Sequence, residues 1–99
     1  MKFRAVHQVV AALLPGDAVG HEALAFRRML RERGLRSEIF AGSVDPSLAE
    51  EVRFGDALAS VPPDDETAYL FHFAIGSPVT AQVLARREPL IVRYHNVTP

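Results

Sequence analysis

The sequence has no cysteine and no tryptophan among its 99 residues. Without cysteine there is no disulfide framework, no thiolate nucleophile and no Cys-ligated zinc. A dominant charge of one sign is also missing: eleven basic residues against twelve acidic ones leave a formal net charge of −1. So balanced a chain lacks the electrostatic footprint of a nucleic-acid binder, and no nucleic-acid partner is expected. No stretch approaches the ~20 apolar residues of a membrane-spanning helix. The N-terminus imitates a signal peptide, with Lys2 and Arg4 ahead of the apolar Val9–Leu14, but His7 and Gln8 interrupt the run. What remains is shorter than the ~7–15 residues of a secretory apolar core, and it reads as a buried β-strand. Asn96-Val97-Thr98 is a glycosylation sequon that matters only in a secreted chain.

What is present is enough for a packed core, with 48% of residues hydrophobic and 23% charged. The length suggests one domain or less. Phe3–Leu14 is nearly all apolar, as in a strand buried on both faces, and Pro15-Gly16-Asp17 ends it. From Ala18 a helical period takes over, with Val19, Ala23, Phe26 and Leu30 on one stripe. Arg27, Arg28, Arg31, Glu32 and Arg33 then form a solvated opposite side, and Gly34 suits the left-handed position after the helix.

Ser37–Ala41 reads as a second strand, ended by Gly42-Ser43. Asp45-Pro46 has the grammar of a helix start, with Asp as N-cap and Pro at the first helical position. Leu48 and Val52 would be the inner face of that short helix, and Gly55–Glu66 a surface connection. Ala68–Phe73 is a third buried strand. Gly76-Ser77-Pro78 repeats the cap grammar, Val79, Val83 and Leu84 follow, and Glu88-Pro89 stops the helix. Leu90–Tyr94 is a fourth strand.

Strands alternating with helices imply right-handed βαβ units and a parallel sheet. The expected fold is therefore α/β, a Rossmann-like three-layer α/β/α arrangement. The first strand should lie between the second and third, with the fourth outside the third. The last strand has no helix after it, so the chain is expected to be a fragment cut inside its first domain. Leu90, Ile91 and Val92 would then form an exposed edge able to pair with another chain.

Ligands of such sheets bind beyond the carboxyl ends of the strands. That edge carries Gly16, Asp17 and Gly20 with His21, then Gly42 and Ser43, then His72, Gly76 and Ser77, then His95 and Asn96. Three of the four histidines fall there, while His7 sits back inside the first strand in a structural role. His72 and His95 could approach each other across adjacent strands. Gly16-x-x-x-Gly20 after a strand suggests an anion site at a helix start. It is not G-x-G-x-x-G, and no carboxylate follows the second strand, which argues against a nicotinamide cofactor. There is neither a phosphate-binding G-K-[ST] nor a G-x-S-x-G elbow, so Ser77 reads as a helix cap rather than a nucleophile. The histidines are too scattered for a metal, and neither metal nor cofactor is expected.

Three segments also carry a resemblance. Pro15–Gly20, followed by Leu24-x-x-Arg27-x-x-Leu30-x-x-x-Gly34-x-x-Ser37-Glu38-Ile39, resembles the opening of family-4 retaining glycosyltransferases. Phe71–Pro78 resembles the fourth-strand segment of one branch of that family, and Tyr94–Pro99 the histidine turn that follows. The resemblance implies a GT-B enzyme that moves a sugar from a nucleotide-sugar donor to a sugar or lipid-linked acceptor, with retention of configuration. Residues 1–99 would be part of its N-terminal, acceptor-side domain. The C-terminal nucleotide-sugar-binding domain would be absent, and these residues alone inactive.

By resemblance, Gly16, Asp17, Ala18 and Gly20 would face the donor's diphosphate and sugar. His95 would be the histidine at the reacting centre, positioning and supporting charge rather than attacking. His72, Ser77 and Asn96 would border the acceptor pocket. The resemblance further implies a cytoplasmic enzyme, membrane-peripheral in its full-length form. A free-standing α/β binding or regulatory domain without catalysis is the alternative.

Overall fold

The computed structural model describes residues 2–74 and 77–94. The described elements are β1 (Ala5–Leu13), α1 (Ala18–Glu32), β2 (Ile39–Val44), β3 (Arg53–Phe54), β4 (Thr67–His72), α2 (Pro78–Leu84) and β5 (Leu90–Arg93). Two 3₁₀ helices, Pro46–Glu51 and Gly55–Ser60, flank β3. The strands form one sheet in the order β3-β2-β1-β4-β5, parallel at every pairing. The expected α/β architecture and the central place of the first strand are therefore present, with the fourth expected strand appearing as β5.

Alternation along the strands divides the core. Gln8 and Val10 of β1 and Ile39 and Ala41 of β2 face α1, which closes on them with Ala23. Val9, Phe40, Tyr69 and Phe71 point the other way, against Leu58, Val79 and Val83. α1 starts where Asp17 accepts the Val19 N–H and ends at Gly34, whose φ of 83° is the left-handed region a glycine enters without a Cβ clash. Along the expected stripe, Ala23 and Leu30 are buried and Val19 and Phe26 partly so.

Four local expectations need correction. β2 does not stop at Gly42-Ser43 but runs through them to Val44, because Ser43 and Val44 stay in register with Ala12 and Leu13 of β1. Glycine is required there: a Cβ at Gly42 would lie 2.8 Å from the Ala11 carbonyl oxygen. The segment after Gly55 is not a surface connection, since Leu58 is fully buried in the sheet's second core. Gly55 permits this by packing without a side chain against Val79 and the Ala41 carbonyl. α2 ends at Leu84 rather than at Glu88, and Leu84 itself is exposed. Beyond it the chain turns so that Arg86 can reach the Leu58 and Val61 carbonyls and the Glu88 carboxylate.

The arginine side of α1 is not simply solvated either. Arg27 binds the backbone carbonyl and carboxylate of Glu51, tying α1 to the first 3₁₀ helix. Arg31 donates to the Ser37 carbonyl at 2.6 and 3.0 Å.

Candidate functional site

The sheet places the expected site residues at two depths. The crossover from β1 runs through α1 to β2 on one side, and that from its other neighbour, β4, runs through α2 to β5 on the opposite side, so the two diverge at adjacent carboxyl ends. This is the switch point at which open α/β sheets bind ligands. The loop after β1 lies there. Gly16 has a φ of 75°, and Asp17 begins α1 with its carboxylate on the Val19 N–H. Ala18 is exposed in the first helical turn. Gly20 is buried: a Cβ on it would meet Leu13 Cδ1 at 3.0 Å and the Leu14 carbonyl at 3.4 Å. Its lack of a side chain thus lets α1 sit close on the end of β1.

Ser77 joins this edge from β4's side. Its hydroxyl accepts the Val79 N–H as the cap of α2 and stands beside Gly42, where a Cβ would lie 3.2 Å from it. A cavity of about 290 Å³ opens next to this contact, lined by Gly42, Phe54, Asp56, Pro78 and Gln82 among others. Phe54 is exposed, while the Gln82 Oε1 is buried with no hydrogen-bond partner among the described residues. No motif marks these groups, because they come from three short elements, and β3, which carries Phe54, is only two residues long.

His72 is not on the loop side of the edge. It is the last residue of β4, only 2% exposed, and its Nε2 lies 2.7 Å from the Gln8 Oε1. The Gln8 amide nitrogen donates to the Ala23 carbonyl at 2.8 Å, so its oxygen is the acceptor and the His72 Nε2 carries the proton. A polar chain thus crosses from β4 through the central strand to α1. Gln8, fully buried, is the residue sequence reasoning passed over; its signal was a polar side chain inside an apolar run. His72 also lines a small cavity with Phe26 and the Glu22–Arg93 ion pair, closed at 2.9 Å.

His7 lies towards the other end of β1, as expected. Its Nδ1 accepts the Glu38 N–H at 3.0 Å, a link between β1 and the start of β2. Burial holds the imidazole below its usual value, against the opposing pull of the Glu38 carboxylate. His21 is exposed in α1's first turn. Gly76, His95 and Asn96 lie outside the described residues. Among the described residues no group of three His, Asp or Glu side chains could hold a metal, and no helix is long and apolar enough to cross a membrane.

At the carboxyl edge the described groups are the Asp17 and Asp56 carboxylates, the Ser77 hydroxyl, the Gln82 amide and the Phe54 ring. The Asp56 carboxylate, the Gln82 amide and the Phe54 ring share one cavity, a set that suits a hydroxyl-bearing ligand. Compared with protein-family models, with curated proteins and with solved structures, the chain matches none.

Proposed function

We propose that this chain is the acceptor-side portion of a retaining glycosyltransferase, working with a second, nucleotide-binding domain. The observation that carries the reading is the cavity at the carboxyl edge. Its Phe54 ring offers an apolar surface to the C–H face of a sugar, and Asp56 and Gln82 offer hydroxyl partners beside it. Of the segments that resemble family-4 enzymes, Pro15–Gly20 contains the loop after β1, and Pro78 of Phe71–Pro78 lines the cavity. In this reading Asp17 meets hydroxyls of the donor sugar, Ser77 and Gly42 border the acceptor, and the nucleotide is gripped by the second domain. His95 positions the reacting sugar and supports charge that develops in the transition state.

The test is release of free nucleotide from a panel of nucleotide-sugars by the full-length gene product, with and without His95→Ala. A loss on the order of 10²-fold in turnover, with unchanged thermal melting, is expected. Near-normal turnover in the variant would overturn the role of His95. Sugar binding at the edge with no transfer to any acceptor would favour a non-catalytic binding domain instead.

A further inference from the structure

Another cavity, of about 540 Å³, is an open groove between α1 and the first 3₁₀ helix. It shares no lining residue with the cavity at the carboxyl edge. Its apolar floor is Leu24 and Leu48, both partly buried and packed on the core beneath α1. Five charged residues surround that floor, and three of them are already committed. Arg27 holds the backbone carbonyl and the carboxylate of Glu51. Arg31 donates twice to the Ser37 carbonyl and lies 3.6 Å from Glu38. The other two are Arg28 and Glu32. Both are exposed, and neither side chain has an ion-pair or hydrogen-bond partner among the described residues.

Leu24, Arg28 and Glu32 follow one another at intervals of four, so they share one stripe of α1. Along it the groove offers an apolar patch, then a free positive group, then a free negative one. Arg28 precedes Glu32, the weaker order for an ion pair within a helix, and the two stay apart. Glu32 is also the last residue of α1, where the helix dipole favours a cation. A simple anion on Arg28 would face the Glu32 and Glu51 carboxylates, and a simple cation on Glu32 would face three guanidiniums. A ligand carrying both charges beside an apolar group matches all three features.

We propose that this groove binds a free apolar α-amino acid as its zwitterion. The carboxylate meets the Arg28 guanidinium, the ammonium meets the Glu32 carboxylate, and the side chain lies on Leu24 and Leu48. The site is separate from the carboxyl edge, so it stands or falls independently of the transferase reading.

Leucine, leucinamide, N-acetyl-leucine and glycine separate the three features, since each of the last three lacks one of them. Amide chemical-shift titrations of the 99-residue chain with each measure binding. Leucine should shift the amides of residues 24, 28, 32, 48 and 51, with a dissociation constant on the order of 1 mM, as for a fragment-sized ligand. Leucinamide, without the carboxylate, and N-acetyl-leucine, without the ammonium, should each bind about three- to fivefold more weakly, the range for exposed ion pairs. Glycine, without the apolar side chain, should bind about tenfold more weakly. Arg28→Gln should bind leucine no better than leucinamide, and Glu32→Gln should bind leucine no better than N-acetyl-leucine. Both variants should melt as the wild type does, because each replaces an exposed side chain that has no partner among the described residues. Leucinamide or N-acetyl-leucine binding as tightly as leucine, glycine binding equally, no shift at these amides, or unchanged selectivity in the two variants would overturn the proposal.

Discussion

Strands β4 and β5 are neighbours in one parallel sheet and look alike as sequence, one containing Tyr-Leu-Phe and the other Leu-Ile-Val. Their burial differs sharply. Every residue of β4 is buried, whereas β5 has one partly buried residue, Leu90, followed by exposed Ile91, Val92 and Arg93. β4 has a strand on each side, Phe26 of α1 near its Leu70 and His72, and the Leu58, Val79 and Val83 cluster over its other face. Among the described residues β5 has one neighbouring strand, and the Glu22–Arg93 ion pair bridges it to α1. Apolar composition makes both segments strands; layers above and below make only one of them core.

That contrast can be broken by substitution. Phe71→Ala in β4, where the ring is 1% exposed, should cost about 3–5 kcal/mol in denaturant unfolding. Ile91→Ala in β5, where the side chain is about half exposed, should stay within about 0.5 kcal/mol. Equal losses would show that β5 is covered as β4 is.

A smaller effect is expected from acid, which acts where the two strands begin. Burial pushes the Glu88 carboxyl up, but hydrogen bonds from Arg86, its own backbone and the Asp64 N–H outweigh it and hold the group below the usual value of 4.5. Its contribution is full above that value and is lost as pH falls through the folded-state value. Burial likewise keeps His7 below 6.5, so the unfolded chain takes up its proton first and stability declines as pH drops below 6.5. The melting temperature should therefore fall from pH 7 towards pH 4, beginning near the histidine range. In His7→Asn the upper part of that decline should flatten. An unchanged upper decline would place its origin elsewhere.

The smallest effect concerns the open edge. Exposed Ile91, Val92 and Tyr94, with Phe73 stacked on Tyr94 at 5.0 Å, form an apolar margin at β5, the last strand in the order of the described sheet. Weak self-association through β5 is expected, and Ile91→Lys should suppress it without shifting the melting temperature of the dilute chain. Sedimentation at rising concentration measures this; identical behaviour of the two proteins would remove the edge as an association surface.

Much of this architecture was legible in local rules. Continuous apolar runs and one period-3.6 stretch separated the long elements, and Asp17, Asp45 and Ser77 marked three helix starts where the structure has caps. The site was less legible. His72 stood at a strand end and read as an edge residue, yet its side chain faces α1 and meets Gln8, a partner 64 residues away. The cavity groups Phe54, Asp56 and Gln82 come from three short elements with no common spacing. Arg86 carries no local signal for its role, which is to bind carbonyls 25 and 28 residues upstream.

Backbone preferences thus settle which segments become strands and helices, because caps, glycines, prolines and side-chain period act within a few residues. They also settle the parallel α/β class, because alternating elements leave few other ways to cover a sheet. Packing alone chose which polar side chains went inside, which arginines became anchors and which of two similar strands stayed wet. Those outcomes depend on what lies across the sheet or over it, and the partners are separated by tens of residues along the chain.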